Sequence, residues 1–377
     1  MKLCHVVPSL QEQHGGPSKS VRLLCSALAR LGHDVQLFST HPDAARTGDI
    51  TTDGSLRVVV FRREWPQRLC RSTGLDRALK VSGSAVIHHH SLWLRTLHYA
   101  HRRAAESGAA LVVSPRGMMS AWAWRHRGWR KQFSRTLVHP HALSDADGWH
   151  ATSDEEAADI RDLQFAAPVC IAPNGVEPPA AAEVLAARDY WHEQCPDTLT
   201  HRTALFYSRF HQKKRVLELI DLWLERAPKD WLLLLVGIPQ EYTPEALERY
   251  ILKMSGTGRI RVFSGAGRPP PYAVASLFLL PSHSENFGLV VAEAMAHRVC
   301  ALVTDTTPWS ALNLDQRGWC VPWARFGDEL LAATSHSPTE LRDRGERAAG
   351  WVLREFSWDR AAGTLADFYR RLRPAAP

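Results

Sequence analysis

Strand-length apolar segments alternate with helix-spaced segments twice along this chain, and that repetition constrains the fold more than any single residue does. In the first run, Leu3 to Val7, Val35 to Ser39, Leu56 to Phe61, Ala85 to His88 and Leu111 to Ser114 read as strands. Between them, Val21, Leu24, Leu28 and Leu31 recur at helical spacing, and a further helix is expected over about 94–106. The pattern restarts with strands at Ala204 to Tyr207, Trp231 to Val236, Ile260 to Phe263, Leu277 to Leu280 and Ala301 to Thr304. Helices are expected at Val216 to Arg226, at Leu289 to Ala296 and, last, over about 358–372. Strands that alternate with helices build parallel, doubly wound sheets. The expected class is therefore α/β with two such domains, 1–173 and 204–357, joined by a Pro- and Ala-rich linker over 174–203. Ligands of such sheets lie beyond the carboxyl ends of the strands, so functional residues are sought in the loops that follow strands.

At 377 residues the chain is too long for one ordinary core. No apolar run reaches the ~18 residues of a spanning helix, and the start lacks the basic and long apolar regions of a signal peptide. The seven cysteines form no CxxC pair, so neither a disulfide framework nor a zinc site is expected. These features point to the cytoplasm. Lys and Arg total 46 against 39 Asp and Glu, which favours anionic partners. No RNA-binding or zinc-finger pattern accompanies the charge, and nucleic acid is not an expected partner. The stretch from Arg116 to Arg135 has no acidic residue and interleaves Arg125, Arg127, Arg130 and Lys131 with Trp122, Trp124 and Trp129. Basic and tryptophan side chains together suit an anionic membrane surface, so peripheral contact is expected there.

Three loops carry candidate chemistry. Ser284-Glu285-Asn286-Phe287-Gly288-Leu289 follows a strand and opens a helix, whose unpaired N–H groups can hold an anion or sugar hydroxyls. Glu285 is placed to accept hydrogen bonds from a sugar, and Glu293, two turns on, to clasp a ribose diol. Arg209 and Lys214 lie in a cationic turn after another strand, where a planar fork and a point charge can neutralise a diphosphate. His14-Gly15-Gly16-Pro17-Ser18 follows the first strand and lets a backbone approach a phosphate.

Taken together these pieces resemble glycosyltransferase family 4, the retaining enzymes of the GT-B fold. The resemblance spans nearly the whole chain. It rests on the Gly15-Gly16 turn, His88-His89-His90-Ser91-Leu92-Trp93, Ser114-Pro115-Arg116-Gly117-Met118, His150-Ala151-Thr152-Ser153 with Glu155-Glu156, and Pro173-Asn174-Gly175-Val176. In the second half it rests on Arg209-x4-Lys214, Glu285-x7-Glu293 and Phe356-Ser357-Trp358. The Pro-Arg-Gly-Met and Thr307-Pro308-Trp309 pieces look most like the branch that builds bacterial surface polysaccharides: lipopolysaccharide O-antigen, capsule or exopolysaccharide.

The resemblance implies two Rossmann-like domains facing each other across a cleft, with the helix over 358–377 crossing back onto the first. It implies catalytic roles for Glu285, Arg209 and Lys214. Gly16, Asn286, the N–H groups of Phe287, Gly288 and Leu289, and Glu293 would complete the donor site, with Glu293 on the ribose. His90 and Arg116 would lie on the acceptor side, Arg116 where many relatives have histidine. Ser91 and Arg215 stand where glycine is common, and His297-Arg298-Val299-Cys300 stands where relatives have a glycine and then a proline. The implied donor is a nucleoside diphosphate sugar, the implied acceptor a glycan or polyprenyl-diphosphate-linked glycan, and no metal or other cofactor is needed because cations stabilise the leaving group. A GT-B sugar-nucleotide epimerase and a non-catalytic carbohydrate-binding scaffold are the competing readings. Two motifs are set aside as metal sites. Successive strand residues face opposite sides, so His88, His89 and His90 are not expected to converge on one ion, and Asp145-Ala146-Asp147 ends no strand of the right kind.

Overall fold

The computed structural model describes residues 1–11, 16–45, 48–119, 141–226, 228, 230–254 and 259–372. In chain order the first elements are β1 (Lys2–Val6), α1 (Gly16–Arg30), β2 (Asp34–His41), β3 (Asp49–Asp53), β4 (Leu56–Arg62) and α2 (Thr73–Lys80). Next come β5 (Val86–His90), α3 (Arg95–Ser107), β6 (Ala110–Ser114), β7 (Gly148–Ala151), α4 (Asp154–Arg161) and β8 (Val169–Ile171). The second series is α5 (Ala181–Gln194), β9 (Arg202–Phe210), α6 (Val216–Arg226), β10 (Trp231–Pro239), α7 (Pro244–Lys253), β11 (Ile260–Ser264) and β12 (Leu277–Leu280). It closes with α8 (Leu289–Ala296), β13 (Ala301–Thr304), β14 (Trp319–Val321), α9 (Trp323–Ser335), α10 (Pro338–Glu355) and α11 (Trp358–Leu372). These elements form two units: Met1–Gly175 with Ser357–Pro377, and Val176–Phe356.

The sheet of unit 1 has the order β3-β4-β2-β1-β5-β6-β7-β8 and is parallel except for the β3–β4 pair. That of unit 2 has the order β11-β10-β9-β12-β13-β14 and is parallel throughout. Helices cover both faces of such sheets, so the inner strands are continuous apolar runs. Leu277, Phe278, Leu279 and Leu280 are all fully buried, as are Leu233, Leu234 and Leu235. Strand order reverses between β1 and β5 in one sheet and between β9 and β12 in the other, which makes those two positions the switch points where a doubly wound sheet binds ligands.

Helix α1 buries Val21, Leu24, Cys25 and Leu28 on one stripe, and α11 packs its Ala362, Leu365, Phe368 and Tyr369 into the same core of unit 1. Two glycines permit that closure. A Cβ at Gly148 would stand 2.6 Å from the Phe368 ring, and one at Gly175 would stand 2.3 Å from the backbone nitrogen of Trp358.

Three expectations are corrected. Residues 174–203, expected as the interdomain linker, belong from Val176 on to unit 2 and carry α5, whose fully buried Trp191 joins that core and donates from Nε1 to the Pro269 carbonyl at 2.9 Å. Strand β5 continues through His90, two residues past the expected end at His88, and all three histidines are buried. Strand β3 was not foreseen because its sequence, DITTD, is polar and every residue is exposed; pairing with β4 creates it. Most of the basic, tryptophan-bearing stretch (120–135) and residues His14 and Gly15 of the Gly-Gly turn lie outside the described residues.

Candidate active site

The switch point of unit 2 brings together two loops that the sequence separates by about seventy residues. Strand β9 ends at Phe210 and passes through a short turn to Lys214; β12 ends at Leu280 and passes to Glu285. The main chain ties the loops together, with His283 N donating to the Lys213 carbonyl at 2.8 Å. Side chains add to this: Arg215 donates from Nε and Nη2 to His283 Nδ1 at 3.1 and 2.8 Å, and its guanidinium lies 4.7 Å over the Trp323 ring.

Lys214 is buried, and its Nζ donates to Glu285 Oε1 in a direct ion pair. The Ser282 hydroxyl donates to the same oxygen at 2.7 Å. Ser282 is itself fixed by Thr304 and Thr306, whose hydroxyls donate to its carbonyl at 2.7 and 2.5 Å. Burial pushes the Glu285 carboxyl up, but Lys214, Lys213 and the Ser282 hydroxyl more than offset it and hold the group below the usual carboxylate range. Burial also lowers Lys213, against the pull of Glu285. Arg209, near the end of β9, donates from Nη1 to Gln240 Oε1 at 3.2 Å.

Gly288 is the N-cap of α8 with φ +73°, and the helix start has no side-chain cap. A Cβ there would stand 3.3 Å from Trp309 Nε1, which donates to the Phe287 carbonyl at 2.6 Å. Glycine and tryptophan thus shape the turn together. Glu285 does not cap the helix, because its carboxylate is directed to Lys214 and Ser282. Glu293, one further turn into α8, accepts from the buried Tyr272 hydroxyl at 2.9 Å. Glu285, Asn286, Phe287, Gly288, Leu289 and Glu293 therefore share one loop-and-helix edge with Lys214.

At the switch point of unit 1, Gly16 begins α1 and His90 ends β5. No described atom lies within 4 Å of where a Gly16 Cβ would stand. Arg116, just beyond β6, donates from Nε and Nη2 to His90 Nδ1 at 3.3 and 3.1 Å and from Nη1 to Asn174 Oδ1 at 2.9 Å. Burial brings its guanidinium down to about 10, opposed by the nearby Glu156 carboxylate. Ser91, Trp93 and Arg116 all have left-handed backbones, with φ of +94°, +66° and +54°. Such conformations cost energy for side chains other than glycine and concentrate in functional loops.

As alternation requires, His89 faces away from His88 and His90, with its ring nitrogens at the Ser91 carbonyl and the Thr96 hydroxyl, but a cluster forms with a neighbouring strand. His88 and His90 share a face, and His5 of β1, in register with His88, completes a trio whose nearest ring nitrogens all lie within 4.8 Å of one another. The sequence reading counted only consecutive residues of one strand and overlooked the neighbouring strand. Hydrogen bonding nevertheless sets the trio's chemistry. Because Arg116 donates into His90 Nδ1, His90 carries its hydrogen on Nε2 and donates to His5 Nδ1 at 3.0 Å. Ligating imidazoles need the opposite arrangement, a donor on the nitrogen away from the metal. Asp145 and Asp147 are structural: Asp147 Oδ2 accepts from Leu111 N at 2.7 Å, and Asp145 Oδ2 pairs with His101 at 2.9 Å.

Comparison with known proteins matches residues 15–175 to the glycosyl transferase 4-like domain and residues 201–336 to the group 1 glycosyl transferases. The chain belongs to glycosyltransferase family 4. It is 25% identical to a D-inositol 3-phosphate glycosyltransferase of Xylanimonas cellulosilytica, over 96% of this chain and 93% of that one. It is 22% identical to a GDP-mannose:cellobiosyl-diphosphopolyprenol alpha-mannosyltransferase of Xanthomonas oryzae, over 46% of this chain and 47% of that one. Among solved structures, the fold matches sucrose-phosphate synthase of Thermosynechococcus elongatus with a TM-score of 0.75 at 18% identity, all of both chains aligned. It matches Anabaena HepE in complex with UDP-glucose with a TM-score of 0.74 at 14% identity, over 98% of this chain and 100% of that one. The fold is GT-B, and the chain is a sugar-nucleotide-dependent glycosyltransferase.

Five residues of the glycosyltransferase escaped the sequence reading. Ser282 lay in plain view three residues before Glu285; of its partners, Thr304 ends the adjacent strand β13 and Thr306 follows it. Tyr272 and His5 carried no local signal, because each acts through a partner on a different strand or helix. Among the described residues of the enzyme, no helix is long and apolar enough to cross a membrane.

Proposed function

We propose that this glycosyltransferase moves a sugar from a nucleoside diphosphate sugar to a glycan carried on polyprenyl diphosphate, with retention of anomeric configuration, in the assembly of a surface polysaccharide. The observation that carries the reading is the Lys214–Glu285 pair at the β9/β12 switch point, beside the uncapped start of α8. The pair holds Glu285 ionised and next to a cation. The similarity to the Xanthomonas mannosyltransferase, which acts on a diphosphopolyprenol-linked sugar, supports the lipid-linked acceptor, and the HepE complexes support the donor class.

In this reading Arg209 and Lys214 neutralise the diphosphate as its bond to the sugar breaks. The N–H groups of Phe287, Gly288 and Leu289 add the positive end of α8, a preorganised field aimed at developing charge. Glu285 and Asn286 bind donor-sugar hydroxyls, Glu293, steadied by Tyr272, binds the ribose, and Gly16 leaves room for the substrate. The acceptor hydroxyl attacks from the leaving-group face and gives its proton to the departing diphosphate oxygen, so no metal takes part. His90 and Arg116 stand on the acceptor side. The enzyme works in the cytoplasm, with residues 116–135 touching the anionic inner membrane.

The test is incubation with UDP- and GDP-sugars and a polyprenyl-diphosphate-linked oligosaccharide, with the product anomer read by proton NMR. A retained configuration is expected. An inverted product would overturn the mechanism, and sugar isomerisation without acceptor would replace it with an epimerase.

A further inference from the structure

Away from the switch point, unit 1 has a cavity of about 600 Å³ at the carboxyl end of β4, between the loop that follows the strand and the first turn of α2. That volume is in the range of small-ligand pockets. Arg62, Arg63, Glu64, Trp65, Gln67 and Arg77 form most of its wall.

The wall divides into residues that build it and residues that face into it unengaged. Arg63 staples the loop to the ends of β1 and β2: its Nε donates to Thr40 Oγ1 at 2.9 Å, and its Nη2 donates to the Pro8 and Thr40 carbonyls at 3.2 Å each. Glu64 closes the loop on α2, accepting from Thr73 N at 3.1 Å and from the Thr73 hydroxyl, with Arg71 3.6 Å away. Arg71 in turn donates to the Trp65 carbonyl at 3.2 Å. The frame is thus fixed by hydrogen bonds that do not involve Arg62, Gln67 or Arg77. Those three side chains make no hydrogen bond or ion pair with any described residue. On the same wall the Trp65 indole is 83% exposed, the most exposed large hydrophobic side chain described.

An exposed indole beside planar polar side chains is the chemistry that recognises a pyranose: the ring's C–H face stacks on the aromatic, and its edge hydroxyls pair with amide and guanidinium groups. The charge makes the choice narrower. Three arginines face one glutamate, and Glu64 is already engaged by Thr73 and Arg71, so the cavity is cationic. A carboxylate meets guanidinium forks in bidentate geometry. We propose that this cavity is a saccharide subsite, which takes a hexuronate unit with its ring on Trp65 and its carboxylate on Arg62 and Arg77.

Position assigns the subsite a place on the ligand. In the order β4-β2-β1, the cavity lies two strands from the switch point, about 10 Å at ordinary strand spacing. The unit it holds is therefore not the one that reacts but one further along an oligosaccharide. Its role as acceptor recognition rests on the glycosyltransferase reading; its binding chemistry does not.

The experiment measures binding of trigalacturonate and of neutral maltotriose by saturation-transfer NMR and calorimetry to wild type, Trp65→Ala and the double variant Arg62→Gln/Arg77→Gln. Trigalacturonate should bind wild type and lose about tenfold or more in affinity in the double variant, the scale of lost charge-assisted hydrogen bonds. Trp65→Ala should weaken it too, and maltotriose should bind less tightly and ignore the arginine substitutions. All three residues are at the surface, and unchanged circular dichroism checks the fold. No binding of trigalacturonate to wild type, or equal binding to all variants, would overturn the proposal. So would capture by phosphatidylglycerol vesicles that Trp65→Ala abolishes while trigalacturonate binding stays intact, which would make this face a lipid contact. UDP-glucose and GDP-mannose thermal shifts run in parallel: their absence from wild type would count against the donor reading and leave the subsite to be judged on its own result.

Discussion

At the switch point of unit 2, Lys214 and Glu285 neutralise each other; at that of unit 1, Arg116 sits against His90 and Asn174, and its hydrogen bonds go to neutral groups. Two sheets of the same winding thus handle buried charge in opposite ways. In the mechanism proposed above both members of the unit 2 pair act in charged form, one on an anionic leaving group and one on sugar hydroxyls, and each keeps the other so. In unit 1 the stability of the guanidinium's surroundings depends on imidazoles staying neutral. Burial and the Arg116 charge push His5 down to about 3; burial, with Arg116 close behind, takes His150 to about 3, and His88 and His90 are pushed well below the usual value.

Acidification should therefore separate the units. The folded-state pKa values of these imidazoles lie below the ordinary 6.5, so in the window from 6.5 down to about 3 the unfolded chain binds more protons than the folded one. Stability falls as pH falls through that window, by up to about 1.4 kcal/mol per pH unit for His5 and for His150, and His88 and His90 act in the same direction. Glu285, held below 4.5, begins to lose its stabilising charge only below that value. His211 and His283 of unit 2 are partly exposed and weigh less. Hydrogen exchange followed by mass spectrometry near pH 5.5 should show unit 1 peptides losing protection first. Protection lost equally in both units would break the contrast.

How much of this could be read in advance differs between the units in the same way. Both sheets were legible, because buried parallel strands leave apolar runs such as Leu277 to Leu280. The motifs of unit 2 were legible because each lies in one loop directly after one strand. The arrangement of unit 1 was not: His5 and His88 sit more than eighty residues apart and meet only through strand register. Helix α5 was missed for a different reason. Its apolar residues make no stripe, and only Ala187 and Trp191 are buried.

A smaller effect is expected at the charge pair itself. Lys214→Ala and Glu285→Ala should each lower turnover by about 10²-fold, near 2.7 kcal/mol of transition-state stabilisation. Lys214→Ala also leaves a buried carboxylate without its partner, so folding must be followed by chemical denaturation. The double variant Lys214→Met/Glu285→Gln separates the two effects: stability should recover and turnover should not. Wild-type turnover in both alanine variants would remove the pair from the mechanism.

The smallest effect concerns backbone strain. Ser91, Arg215 and Arg298 have left-handed backbones, with φ values of +94°, +52° and +62°. Arg298 has an exposed side chain with one ion pair, to Glu346 at 3.3 Å. Arg298→Gly should stabilise unit 2 by about 1 kcal/mol through relief of the left-handed conformation, seen as a higher melting temperature. Arg215→Gly should gain less, since it also gives up the hydrogen bonds to His283. A drop in stability for Arg298→Gly would mean that the ion pair outweighs the strain.

The return of α11 to unit 1 has a consequence in time. Its Tyr369 hydroxyl lies 2.6 Å from His88 Nδ1, so the histidine lattice is completed by a residue made after all of unit 2. During synthesis unit 2 can finish folding while unit 1 still exposes the apolar stripe of α1. The first unit to emerge is then the second to mature, and in that interval it depends on whatever shields nascent chains. A rearranged gene that encodes α11 ahead of β1 would let unit 1 close first and should lessen that dependence.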